Sequence, residues 1–324
     1  MTWDSQTLIQ TATFAGAGIA MGLGAIGAAI GEGYTAAQAN IAVSRNPELS
    51  GDLLKNMLVG QAVAESASIF ALIIALLLLF INSSDSAMIH AAAFLGAGLC
   101  IGFGAIGSGI GAGIAGGQAC LAIVRQPAIT NRITTNMLVG SAVSQDPAIF
   151  SMVVALILIF IDFSQTALYP GWAALIGASI STGLAATGSG YGCGLAAGAC
   201  CEGISRQPDS VGTATTTMLV GQAVGQTPAI FGLLVSFILL FKSFPESTTL
   251  SAPMALIGAG LCMGLGGIGP GIGNGMAAEG AVRWVSRRME HASDLMRIML
   301  VGQAVSQSTA IYAMVISLVL IFVV

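Results

Sequence analysis

Two kinds of apolar run alternate along the chain. The first is broken every few residues by glycine, as in "GLGAIGAAIGEG" from Gly22, and the second is bulky and continuous, as in "FALIIALLLLF" from Phe70. Either kind, as a helix, is long enough to cross about 30 Å of hydrocarbon. Short polar stretches separate them. The pattern predicts eight transmembrane helices, at about 8–44, 54–82, 90–124, 134–162, 170–205, 215–243, 252–287 and 296–324. The fold class is an all-α membrane protein.

The runs repeat. "MLVGQAV" at 57–63 returns as "MLVGSAV" at 137 and as "MLVGQAV" at 218 and 299, with spacings of 80, 81 and 81 residues. A glycine-rich run precedes each: "GFGAIGSGIGAG" from Gly102, "STGLAATGSGYGCG" from Ser181 and "GLGGIGPGIGNG" from Gly264 match the one at Gly22. A polar turn joins the arms: "SRNPELSGD", "VRQPAITNR", "SRQPDSVGT" and the degenerate "SRRMEHASD". The chain therefore divides into four tandem hairpins, at 1–84, 85–165, 166–246 and 247–324. Small residues let the first arms approach closely, whereas the bulky ends of the second arms suit lipid. Such hairpins pack around a tight inner circle.

Composition agrees. The chain is 55% hydrophobic and 7% charged, against about 25% charged in ordinary soluble domains. A net charge of -4 and the lack of a basic cluster exclude a nucleic-acid partner. The six cysteines show no CxxC spacing and read as small packing residues. "MTWDSQ" lacks a basic n-region, so no cleaved signal peptide is expected. The GxGxxG matches, such as "GLGAIG", lie inside apolar helices and follow no strand, which removes the dinucleotide reading. Pro147, Pro228 and Pro270 are expected to break their helices locally.

Charge sets the orientation. Arg45, Lys55, Arg125, Arg132, Arg206, Arg283, Arg287, Arg288 and Arg297 flank the turns within hairpins, and only Lys242 lies opposite. The turns are expected to be cytoplasmic and both termini on the other side. Linkers there carry Asp4, Asp85, Asp162 and Glu246, and Trp3, Tyr169 and Trp172 suit an interfacial belt.

One carboxylate stands out. Glu65 lies in the middle of "LVGQAVAESASIFALII". A charge at mid-bilayer costs roughly 2.5 to 3.5 kcal/mol on insertion scales, so such residues mark ion or proton paths. The other hairpins hold Gln145, Gln226 and Gln307 there, and opposite Glu32 on the glycine arm they hold Ala112, Cys193 and Asn274. Glu32 and Glu65 are expected to meet between the arms, sharing a proton or bridged by a cation. Glutamine mimics the hydrogen bonding of a protonated glutamate but exchanges no proton. Asp146, one residue after Gln145, points about 100° away; it is either a polar group facing a cavity or a second ion carboxylate.

Residues 63, 66, 67 and 70 form one helical stripe, and 65 points elsewhere. The stripe completing the Glu65 site should therefore come from a neighbouring outer helix. It reads Val63, Ser66, Ala67, Phe70; then Val143, Asp146, Pro147, Phe150; then Val224, Thr227, Pro228, Phe231; then Val305, Ser308, Thr309, Tyr312. The fourth offers two hydroxyls and a phenol beside a free backbone carbonyl.

The glycine-rich helix, the "RxP" turn and "GQAVAES" resemble the c-ring proteolipid, the rotor of F-type ATP synthases, over all four hairpins. "GEG" at 31–33 with "ES" at 65–66 resembles the two-carboxylate N-type relatives. The resemblance implies a homo-oligomeric ring in membrane lipid that passes the a-subunit of a stator. It also implies that the ring turns a central stalk of gamma and epsilon subunits and couples ion flow to ATP synthesis or hydrolysis. The rotor itself is non-catalytic, needs no cofactor, and lies in a bacterial inner membrane. The implied ion is H+ or Na+, held by Glu32 and Glu65. Val305, Ser308, Thr309 and Tyr312 of the next chain, or alternatively Val63 and Ser66, complete the site. The hydroxyls favour Na+, while Glu at 32, Ala67 and Phe70 keep H+ open. Arg45, Pro47, Arg125, Gln126, Pro127, Arg206, Gln207 and Pro208 would meet the stalk; Arg287-Arg288-Met289 has lost the proline. Few sites per turn suit an ATP-driven pump better than a synthase. The alternatives are a V-type-like pump rotor, an accessory proteolipid mixed among single-hairpin rotor proteolipids, and a secondary transporter.

Overall fold

The structure, a computed structural model, describes residues 5–81, 87–246 and 249–324. Trp3, Asp4 and Asp85, and the last residue of the second expected span, Asn82, lie outside the described residues. The helices are α1 (Ser5–Arg45), α2 (Ser50–Phe80), α3 (His90–Arg125), α4 (Thr130–Phe160), α5 (Leu168–Arg206), α6 (Val211–Gly225), α7 (Thr227–Phe241), α8 (Ser251–Val285) and α9 (Ala292–Val323).

The turns are tighter than expected. A residue before proline resists the α conformation, so each of the first three glycine arms stops at its arginine. The proline then opens a single 3-10 turn, at Pro47–Leu49, Pro127–Ile129 and Pro208–Ser210, and the second arm follows at once. The fourth turn forms the same 3-10 element, Met289–His291, without a proline.

Of the three prolines expected to break helices, only Pro228 does, separating α6 from α7 at Gln226. Pro147 and Pro270 lie within α4 and α8, which run on through them. The third copy has Gly225 just before the break where α4 has Ser144. A glycine three residues before the proline removes the backbone stiffness that carries α4 past the same fault.

The glycine arms pack side by side in the order α1, α3, α5, α8, each against the next, and the bulky arms lie behind them. Among the described residues α1 and α8 do not pack on each other, so one chain is an open arc. Glycines set the spacing of the inner row. A Cβ on Gly113 would overlap the backbone of Gly31, one on Gly194 that of Gly111, and one on Gly275 that of Gly192. Thr35, buried, adds hydrogen bonds of 2.9 Å to the carbonyls of both Gly31 and Gly113.

Among the described residues, seven spans are long and apolar enough to cross a membrane, and α5 is not among them. Its glycines, serines and threonines lower its hydropathy, yet most of these face α3, α7 and α8: Thr187 bonds the Phe103 carbonyl at 2.8 Å and Ser181 the Gly232 carbonyl at 3.0 Å. The helix keeps company with neighbours rather than lipid.

Two apolar clusters fill the arc. One, with Ile9, Leu78, Phe94, Leu158 and Leu175, lies toward the termini; the other, with Leu53, Ile123, Ile133 and Met137, lies toward the turns. The layer between them is made of alanine, serine and amide side chains, with only Ala67, Ala105 and Ala148 clustering there. At the turn end Glu202 gathers Arg206 at 3.0 Å, Arg283 at 3.3 Å and Arg287 at 3.9 Å, tying the third hairpin to the fourth. At the other end the Lys242 ammonium donates to the Ile321 carbonyl at 3.1 Å, satisfying the end of α9. There the Ser164 N–H and hydroxyl hold the Asp162 carboxyl below its usual range.

Candidate ion site

The polar middle layer is built three times inside the chain, once at each seam between hairpins. At the first seam the Gln145 amide nitrogen on α4 donates to the Val63 carbonyl on α2 and the Ser108 carbonyl on α3, both at 3.2 Å. At the second, Gln226 donates at 2.9 Å to the Val143 carbonyl and at 2.9 Å to the Asp146 carboxylate, both on α4. At the third the inner helix reaches instead: Asn274 donates to Gln307 at 2.8 Å and to the Val224 carbonyl at 3.5 Å. The rule is the same throughout. The residue in the Glu65 position, or its partner on the glycine arm, meets the stripe of the preceding hairpin.

Glu65 belongs to the first hairpin, which has no predecessor within the chain. Its side chain is exposed on the outer end of the arc, and Glu32, half-buried, lies within electrostatic reach of it. The Gln61 amide donates to the Glu32 carbonyl at 3.2 Å. At the other end of the arc Val305 and Tyr312 are 69% and 65% exposed, with Thr309 exposed and Ser308 half-buried beside them. The chain thus carries the two carboxylates at one end and the hydroxyl stripe at the other. Val63 and Ser66, the alternative pair, face Gln145 rather than Glu65, and Ser66 donates to the Val63 carbonyl at 2.6 Å.

One expectation needs correction. The Val305 carbonyl is not free, because the Ser308 hydroxyl donates to it at 2.7 Å. The carbonyls that lack their helical donor are those of Val143 and Val224, four residues before Pro147 and Pro228. The Val63 carbonyl, inside an unbroken helix, takes Gln145 in addition to Ser66, as a shared contact. Val305 stands in the same position with its Ser308 bond, and, as at Val63, a ligand from a neighbouring hairpin would share it.

Sequence reasoning missed the glutamines of "MLVGQAV". Gln222 donates to Gly140 and Cys193 carbonyls, both at 2.9 Å, and Gln303 to those of Gly221 and Asn274, at 2.9 and 3.0 Å. Each clamps its own glycine arm to the preceding outer helix, one turn from the ion-site position. Their recurrence in three of four copies was the available signal. Of the turn residues, Arg45, Pro47, Arg125 and Pro127 are exposed, Gln126, Gln207 and Pro208 are half-buried, Arg125 donates to Ser205 at 2.8 Å, and Arg206 pairs with Glu202. The six cysteines are all free thiols, five of them buried.

Comparison with known proteins gives the family. The family model for the ATP synthase C-subunit matches four times, at residues 15–78, 95–158, 176–239 and 257–320. The ATP synthase c-subunit of Natranaerobius thermophilus is 49% identical over 79 residues, which is 24% of this chain and 91% of the relative. The A-type ATP synthase K-subunit of Methanocaldococcus jannaschii is 32% identical over 225 residues, 69% of this chain and 94% of the relative. The ATP synthase c-subunit of Petrotoga mobilis is 52% identical over 66 residues, covering 20% of this chain and 69% of the relative. Four matches in tandem, on four hairpins with one shared seam geometry, place the chain in the ATP synthase c-subunit family as a fused, multi-hairpin member.

Proposed function

We propose that copies of this chain join end to end into a membrane ring, the ion-carrying rotor of a rotary ATP synthase or ATPase. Glu32 and Glu65 bind the ion, and Val305, Ser308, Thr309 and Tyr312 of a second copy complete the site. The observation that carries this reading is the Gln145 contact with the Val63 carbonyl, repeated by Gln226 with Val143. Extending that step by one hairpin brings Glu65 to the Val305 carbonyl and the Ser308 hydroxyl. Three oxygen donors beside two carboxylates, with the Tyr312 phenol to hold Glu65 in place, suit Na+ better than a bare proton. Gln145, Gln226 and Gln307 do not exchange protons, so there is one such two-carboxylate site per chain.

In operation the ion would enter against a stator, neutralise Glu65 and let the site travel through lipid. The low dielectric there makes a charged carboxylate costly, so the site moves only when loaded. The clustered arginines at the turns favour a cytoplasmic placement of that end, in a bacterial inner membrane, with the central stalk against the "RxP" turns. The chain itself is a non-catalytic rotor component.

Dicyclohexylcarbodiimide, which attacks a protonated buried carboxyl, tests the site on purified protein. Modification of Glu65 that Na+ prevents identifies a Na+ site, and modification that only high pH prevents identifies a proton site. An unreactive Glu65 refutes the assignment.

A further inference from the structure

The second seam differs from the other two. Its stripe residue at the position of Ser66, Thr227 and Ser308 is Asp146. Its partner across the seam is Gln226, whose amide nitrogen sits between two oxygens, the Val143 carbonyl and the Asp146 carboxylate, at 2.9 Å from each. Pro147 contributes the first of these: it has no N–H, so the Val143 carbonyl has no donor from its own helix and faces the seam. A nitrogen held between a carbonyl and a carboxylate marks the place where a monovalent cation would sit.

We propose that this seam is a second ion site, with its carboxylate supplied by the preceding hairpin rather than by the hairpin's own outer helix. Turned about its last bond, Gln226 presents Oε1 instead of the amide nitrogen. Val143 O, Asp146 and Gln226 Oε1 then converge as three oxygen ligands for Na+. For a proton, Asp146 donates its O–H to Oε1 while the amide nitrogen keeps the Val143 carbonyl. The titratable group that faces Asp146 from the inner row, among the described residues, is the buried Cys193 thiol.

A merely structural contact does not require a charge. The first seam holds together with Gln145, Ser66 and Ala112, and the third with Gln307, Thr227 and Asn274, without any carboxylate. Placing Asp146 in the bilayer carries a desolvation cost that neither neighbour incurs. The placement is also regular. Gln226 follows Glu65 by 161 residues, two repeats, so carboxylate-bearing and carboxylate-free seams alternate along the chain. In a closed ring the ion sites would then be evenly spaced at every second hairpin, and each chain would carry two ions per turn.

This rests on the reading of the chain as an ion carrier but not on Glu65, and carbodiimide mapping separates the two. Wild-type and Glu65→Gln proteins are treated with dicyclohexylcarbodiimide over NaCl and pH series, and the modified residues are located by mass spectrometry. Asp146 is expected to react in both proteins and to be protected by Na+, or by high pH alone if the ion is a proton. Gln226→Leu should raise the protecting Na+ concentration about tenfold at Asp146 and leave Glu65 unchanged. Asp146 that stays unmodified while Glu65 reacts, or that reacts with no protection by Na+ or pH, overturns the second site and leaves the first standing. If neither residue reacts, both assignments fail.

Discussion

The seams inside the arc and the two ends of the arc use the same repeat in different surroundings. At an internal seam a glycine meets backbone: Gly113 faces Gly31, and Gly194 faces Gly111. On the end face of α1, Gly33 occupies the position of Gly113, yet among the described residues nothing lies within 4 Å of where its Cβ would stand. Gly18 likewise matches Gly98, which abuts Gly16, and it too is open. On the other end, Gly269 takes the place of Gly107 and Gly188 and is open again. A glycine that nothing touches has no packing reason within its own chain. The open glycines at the ends match those that close the seams, which supports the proposed joint between copies.

The sharpest way to break this comparison is to enlarge matched glycines. Gly113→Leu drives a side chain into the Gly31 backbone, where relief requires the helices to part, and should destabilise the chain by about 3 kcal/mol or more. Gly33→Leu should leave the chain folded but stop copies from associating. Thermal unfolding in detergent reads the first, and native mass spectrometry the second. If Gly33→Leu assembles normally, the ends are not seams.

How much of this was legible beforehand differs by element. The hairpins and their number followed from the 80-residue repeat and from two contrasting apolar textures. That the stripe comes from a neighbouring outer helix was implied by the 100° step, because residue 65 and the stripe at 63 and 66 lie on different faces, but which neighbour it comes from was not. The Gln226–Asp146 pairing was not legible. It depends on a neighbouring hairpin 80 residues away, and a lone aspartate in a helix does not declare its partner. The fate of the prolines was also hidden, since Pro147 and Pro228 sit at equivalent positions and differ in outcome with Gly225 nearby. The low hydropathy of α5 gave no warning that its polar residues are spent on its neighbours.

The next contrast is between clamps. Gln222, inside the arc, bonds two carbonyls, whereas Gln61, at the end, bonds one, that of Glu32. Gln222→Leu should cost about 1–3 kcal/mol of chain stability, and Gln61→Leu less, with its larger effect on association of copies. Equal losses of chain stability would contradict the role given to Gln61. Smallest is Thr35→Val. It removes the bond across the α1–α3 seam to Gly113 and should lower stability by about 0.6 kcal/mol, the usual worth of an interhelical hydrogen bond in a membrane.

The central claim is that Glu65 is completed by the far end of another copy, and the Na+ concentration that protects Glu65 from carbodiimide tests it most directly. It is measured in wild-type, Tyr312→Phe and Phe150→Leu proteins. The account predicts that Tyr312→Phe raises that concentration while Phe150→Leu leaves it where it was. A shift with Phe150→Leu and none with Tyr312→Phe would mean that the second hairpin of the same chain completes the site, and the end-to-end joint would be wrong.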